Sequence, residues 1–277
     1  MSGRFHLVLP AFSPSAADEM IARGVALAQT LDAGLTVSVP RLEAATPTHW
    51  LASEYMYPHV QDLNTRADAE AERLAAHARD AGQAAGVCVE IVRSPLGLMG
   101  GDRNTVLTAR THDFTLLGLA DDDSEARGHA EELLFDSGRP LLICPLSRPA
   151  PIRFDKIVLG WDHTESAARA LCGALPVLQR ARDVRVLTIL GAKRLSRTDG
   201  AGEAAAYLQS HGIAAEAETI ESADRAPGQL LMEAAIARGA DLLVMGAYST
   251  LRARQYLLGG VTRGVLSAPL LPILAAN

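Results

Sequence analysis

The stretch Asp241-Leu-Leu-Val-Met-Gly246-Ala-Tyr-Ser249, with nine further residues from Thr250 to Leu258 and then Gly259-Gly260-Val261-Thr262, decides how this chain is read. The apolar run Asp241 to Met245 predicts a buried strand that ends at Gly246. Gly259 and Gly260 open a second segment, Val261 to Ser267, with the pattern of a helix. A strand end therefore faces a helix N-terminus across one loop. The first amides of a helix lack intrahelical acceptors, and its dipole favours negative charge there, so the stretch has the makings of a phosphate cradle. Glycine is equally the default residue of a strained turn or a cap, so the cluster alone leaves both readings open.

Working outward, the second half alternates strand and helix patterns. Lys156 to Gly160, Val184 to Leu190, Ala214 to Ile220 and Pro272 to Ala275 are the other strands expected there. Thr164 to Leu178, Glu203 to Ser210 and Gln229 to Arg238 are the helices, the last two closed by Gly212 and Gly239. The first half runs the same way. Its strands are Phe5 to Pro10, Leu35 to Val39, Val87 to Val92, Asp113 to Gly118 and Leu141 to Cys144, and its helices are Pro14 to Leu31, Asn64 to Ala81 and Asn104 to Arg110. Pro40 to Leu63, with three prolines among Trp50, Tyr55 and Tyr57, breaks the rhythm and reads as an insertion. Arg153-Phe154 echoes Arg4-Phe5, and Pro and Ser cluster between Pro145 and Pro151. The expected organisation is two domains, 1–147 with an insertion at 40–63, and 148–277. The expected fold class is α/β: two tandem, open, mostly parallel five-stranded sheets flanked by helices. In such sheets ligands bind beyond the carboxyl ends of the strands, where strand order reverses.

Composition agrees with that class. The 277 residues are 48% apolar but only 4% aromatic, which suits helices packed on a sheet. A net charge of −6 without a dense Lys/Arg block argues against a nucleic-acid partner. Cys88, Cys144 and Cys172 have no metal-type or paired spacing. No signal segment or bilayer-length apolar run stands out, so the expectation is a soluble, cytoplasmic protein that does not enter membranes.

The two halves differ where a ligand would bind. Asp162 follows the first strand of the second half and offers an acceptor for a base or sugar; Thr164 would cap the next helix, a role that needs no ligand. Aligning Leu7-Val8-Leu9 with Ile157-Val158-Leu159 sets Phe12 against Asp162. Gly118 answers Gly246, but the loop after it is short and carries Asp121, Asp122, Asp123 and Glu125, which would repel a phosphate. A nucleotide site is expected in the second half alone.

With these residues in place, the chain resembles a tandem universal stress protein over nearly its whole length. ATP-binding members of that family carry Gly-x-x-Gly, nine residues, then Gly and Ser or Thr. Here the spacing is kept, but Ser249 stands for the second glycine and Gly260 for the hydroxyl residue, followed by Val261-Thr262. The resemblance implies a Rossmann-like fold of the adenine-nucleotide α-hydrolase type. It also implies a stress-response role and an adenine nucleotide, ATP or AMP, held by Asp162, Thr164, Gly246, Ser249, Gly259, Gly260, Val261 and Thr262. Mg²⁺ would arrive only with bound ATP. It further implies pairing through the last strands, Leu141 to Cys144 and Pro272 to Ala275, within the chain or in a homodimer. The two departures weaken nucleotide binding by roughly ten- to hundred-fold, from a residue that disfavours a left-handed backbone and one lost hydroxyl bond. Arg252, Arg254 and Arg263 are available for charge-assisted compensation or simply for solvation.

Two functions from different classes remain open: a nucleotide-binding regulatory module, and an interaction or scaffold protein of the same family that binds no nucleotide and works through surfaces such as 40–63. Catalysis has less to stand on. The chain lacks a Gly-x-Ser-x-Gly elbow, a His-Glu-x-x-His pair and a P-loop, so no catalytic or metal residue is assigned. At most slow ATP hydrolysis is expected. His163, beside Asp162, is the one residue considered as a base.

Overall fold

The computed structural model describes residues 3–10, 14–43, 50–97, 103–121, 123–148, 151–191, 200–223, 225–247 and 269–277; at 14, 42–43, 50–57 and 95–97 it describes the backbone alone. The chain divides into two compact units, Met1–Gly118 and Leu119–Asn277.

The first unit contains β1 (Arg4–Val8), α1 (Pro14–Leu31), β2 (Gly34–Glu43), α2 (Trp50–Ala85), β3 (Val89–Gly97), α3 (Arg103–Ala109) and β4 (Phe114–Leu119, whose final residue falls past the division). Its strands lie in the order β3-β2-β1-β4, all parallel. Successive side chains of a strand point to opposite faces. Leu7 and its register partners Val37 and Leu116 are fully buried on one of them. Helix α1 lies close on that face, because Gly24 leaves room for the Leu7 side chain; a Cβ there would sit 2.9 Å from Leu7 Cδ2. The region expected to be an insertion instead lengthens its two neighbours. β2 runs on to Glu43, and α2 is helical from Trp50 onward with Pro58 inside it. Residues 44–49 between them lie outside the described residues.

The second unit contains α4 (Ser124–Asp136), β5 (Leu141–Pro145), β6 (Lys156–Gly160), α5 (Glu165–Leu178), β7 (Asp183–Leu190), α6 (Gly200–Ser210), β8 (Ala215–Glu221), α7 (Pro227–Ala237), β9 (Leu242–Gly246) and β10 (Ile273–Ala276). Its strand order is β5-β10-β9-β6-β7-β8, and within it only β5 and β10 pair antiparallel, Ile143 opposite Ile273. The alternating, mostly parallel α/β character is the expected one, with the strands clustering as four and six. The two expected pairing edges meet in β5 and β10, both buried along their length.

Two hydrogen bonds recur in the halves and fix how they correspond. The amide of Arg4 donates to Asp113 Oδ2 at 2.8 Å, as that of Lys156 does to Asp241 Oδ2 at 2.9 Å. The amide of Leu9 donates to the Ser38 carbonyl, as that of Trp161 does to Leu187. Arg4 therefore answers Lys156, and the residue opposite Asp162 is Pro10. The sequence alignment that set Phe12 there was two residues out, because apolar strands slide past one another without penalty until a polar contact pins them. Its conclusion is unchanged, since Pro10 offers no side-chain acceptor either.

Candidate functional site

β6 lies between β7 and β9, with Gly160 level with both Leu187 and Met245, so the chain leaving β6 and the chain leaving β9 emerge side by side at the carboxyl end of the sheet. The exit of β6 is tied down first. The Trp161 amide donates to the Leu187 carbonyl at 2.8 Å, and Thr188 Oγ1 donates to the Trp161 carbonyl at 3.0 Å. The backbone then turns through His163 in a left-handed conformation, φ 59°. That turn brings the next amide back onto Asp162, whose Oδ1 accepts from Thr164 N at 3.1 Å and from Thr164 Oγ1 at 2.6 Å. Thr164 in turn caps α5, its Oγ1 accepting from Ala167 N at 3.2 Å. Asp162 is held exposed at the strand exit, beside the first turn of α5.

Gly246 closes the site from the other side. A Cβ at this position would sit 2.5 Å from Ala167 N and 2.8 Å from the Ser166 carbonyl carbon, so the end of β9 lies directly on the first turn of α5. The glycine is required by that close approach, whatever else it contacts. Beyond it, Ala247 donates to the Ala276 carbonyl at 2.7 Å and accepts from Asn277 Nδ2 at 2.9 Å, which ties the start of the loop to the end of β10. Asp162, Thr164 and Gly246 are thus brought together. Ser249, Gly259, Gly260, Val261 and Thr262, with Arg252, Arg254 and Arg263, lie outside the described residues.

Two neighbours of the site carry no signal that a reading by spacing detects. The His163 ring rests on the start of α6, where a Cβ on Gly200 would lie 2.3 Å from His163 Nε2. Its ring also meets Trp161 edge-on at 5.6 Å between centroids. This packing gives His163 a structural occupation. Gly191 leaves β7 at φ 81° close against Ser222, whose Oγ would be 2.7 Å from a Cβ there. Among the described residues no cluster of three or more metal-ligating side chains occurs, and no helix is long and apolar enough to cross a membrane.

The corresponding place in the first half is filled differently. Asp123 caps α4, its Oδ1 accepting from Glu125 N at 3.1 Å and Ala126 N at 2.9 Å. A carboxylate of the chain already occupies the helix end where an anion would bind.

Residues 153–275 match the model of the Universal stress protein family. The C-terminal half is a universal stress protein domain. No curated protein matches the chain in sequence. Among solved structures, a universal stress protein from Archaeoglobus fulgidus DSM 4304 superposes with a TM-score of 0.66 at 14% identity, covering 100% of this chain and 97% of that one. A functionally unknown protein from Pseudomonas aeruginosa PAO1 gives 0.58 at 15% identity, over 99% and 92%. At these identities the likeness is one of fold. It extends over both halves of the chain, although the family match in sequence covers the universal stress protein domain alone.

Proposed function

We propose that the protein is a stress-response regulator that binds an adenine nucleotide, ATP or AMP, through its universal stress protein domain, and that the first half holds no second site. One observation carries this reading: Asp162 and Gly246 stand together at the carboxyl ends of β6 and β9, the point where strand order reverses and ligands bind in open parallel sheets. The exposed Asp162 carboxylate offers its acceptors to a base or ribose. By its sequence pattern, the Gly259 to Thr262 segment is the part of the chain that would supply amides to phosphate. Asp123 on the α4 N-terminus supports the assignment to one half. We further place the domain boundary of the sequence repeat at 147/148, with β5 the last strand of the first repeat, and Mg²⁺ as a companion of bound ATP only.

The experiment is calorimetric titration of the whole protein with ATP and with AMP, beside thermal denaturation at millimolar nucleotide. Binding near one nucleotide per chain is expected, with a raised melting temperature that Gly259→Glu abolishes and Asp123→Ala leaves in place. No heat and no shift with either nucleotide would sink the proposal.

A further inference from the structure

On the face of the first sheet opposite Leu7, the core is polar. His6 on β1 is fully buried, with Nε2 2.7 Å from Ser38 Oγ on β2 and Nδ1 3.2 Å from Thr115 Oγ1 on β4. His112, just past α3 and also buried, donates from Nδ1 to the Thr108 carbonyl at 2.7 Å, so its Nε2 accepts from Thr36 Oγ1 at 2.8 Å. The two rings lie 5.5 Å apart. All four ring nitrogens are committed to uncharged partners, and among the described residues no carboxylate bonds either ring. Nearby, Ser94 on β3 meets Thr105 on α3 at 3.1 Å, both buried. The fold does not require this chemistry. At the corresponding positions of the second unit, Val158 answers His6, Leu187 answers Ser38 and Leu243 answers Thr115, each buried to 1% exposure or less.

A polar core where the same fold accepts an apolar one is costly unless fully bonded, and it cannot accept charge without losing that balance. The titratable and charged groups of the surrounding elements are already engaged or lie at element ends. Arg4 on β1 pairs with Glu90 of β3 at 3.0 Å, and Asp113 accepts the Arg4 amide. Arg41 of β2 and Arg93 of β3 bond to Asp68 and Glu72 of α2, while Arg103 and Arg110 flank α3. None supplies a counter-charge to the rings.

We propose that the contact between His6 and His112 is an acid-sensitive latch: protonation of His6 releases α3 from the sheet of the first unit, while the second unit, with Val158, Leu187 and Leu243 in place of His6, Ser38 and Thr115, stays closed. Burial first, and His112 second, lower His6 from its ordinary 6.5 to about 3. The sign follows. A histidine held neutral in the folded state binds its proton more readily when exposed, so the stabilisation is complete above about pH 6.5 and is lost as pH falls towards 3. Between pH 7 and pH 5 this linkage multiplies the opening equilibrium about 25-fold for His6 alone.

Hydrogen exchange of the whole protein, corrected for intrinsic exchange chemistry, tests this. Amide protection over 103–119 should fall about 25-fold between pH 7 and pH 5, while 227–246 of the second unit should change by less than about threefold. His6→Gln, which keeps a donor and an acceptor without a titrating ring, should flatten the response of 103–119. Equal loss of protection in both units, an unchanged 103–119, or a His6→Gln variant as acid-sensitive as the parent would each overturn the latch. If His6→Gln does not fold, the comparison between the two units of the parent protein decides alone.

Discussion

A β-carbon at Gly246 would meet backbone rather than a movable side chain, since its neighbours at 2.5 and 2.8 Å are Ala167 N and the Ser166 carbonyl carbon. Gly246→Ala must therefore push β9 away from α5, and overpacking of this kind costs about 1–3 kcal/mol. Chemical denaturation should show the loss with or without nucleotide. Thr164→Ala should cost about 1 kcal/mol through the lost cap, with Thr164→Ser largely spared, because the bond from Ala167 N needs only the hydroxyl. Asp162→Asn is the cleaner probe of binding. It keeps an oxygen for the Thr164 turn at an exposed position, so stability should change by less than about 0.5 kcal/mol while nucleotide affinity in calorimetry falls. At this scale the cap and the exposed carboxylate were legible, because each acts within a few residues of itself. The packing role of Gly246 was not, since its partner is a helix some eighty residues earlier in the chain, and neither was the His6 seam, whose polar members sit singly inside apolar runs.

Most elements announced themselves through local pattern. Pro14 to Leu31 is helical over the predicted span, and the strand runs around Leu7, Val158 and Val244 are buried as expected, because hydrophobic periodicity is a property of contiguous residues. The 40–63 stretch is the exception. Its prolines suggest interruption, yet β2 and α2 extend into it, with Pro58 in the body of the helix. Proline removes a backbone donor and crowds the preceding turn, but a helix of 36 residues anchored further along by buried Ala71, Leu74, Ala75 and Ala78 tolerates that defect near one end. Pro58 is itself exposed, so Pro58→Ala should remove the strain without disturbing the core. The expected result is a gain of up to about 3 kcal/mol in the local stability of that helix, read as stronger amide protection around residues 59–66. No gain would mean that the turn before Pro58 is already relaxed around it.

The division into units after Gly118 does not coincide with the repeat boundary proposed at 147/148, and β5 is the reason it matters. In the order β5-β10-β9-β6-β7-β8, β10 is an interior strand: β9 bonds one edge and β5 the other, with Ile273 opposite Ile143, Leu274 opposite Leu142 and Ala275 opposite Leu141. All four residues of β10 are buried. A fragment cut at the proposed repeat boundary, 148–277, would lose β5 and leave that apolar strand with an unpaired edge, a template for association. The whole chain keeps that edge covered. In gel filtration with light scattering, 148–277 should therefore show more dimer or aggregate than the whole chain. Asp substituted for Leu142 in the whole chain should reproduce the defect of the fragment, because Leu142 is buried opposite Leu274 and an unpaired charge there cannot be accommodated. If 148–277 self-associated no more than the whole chain, the pairing of β5 with β10 would contribute little to closing the second unit.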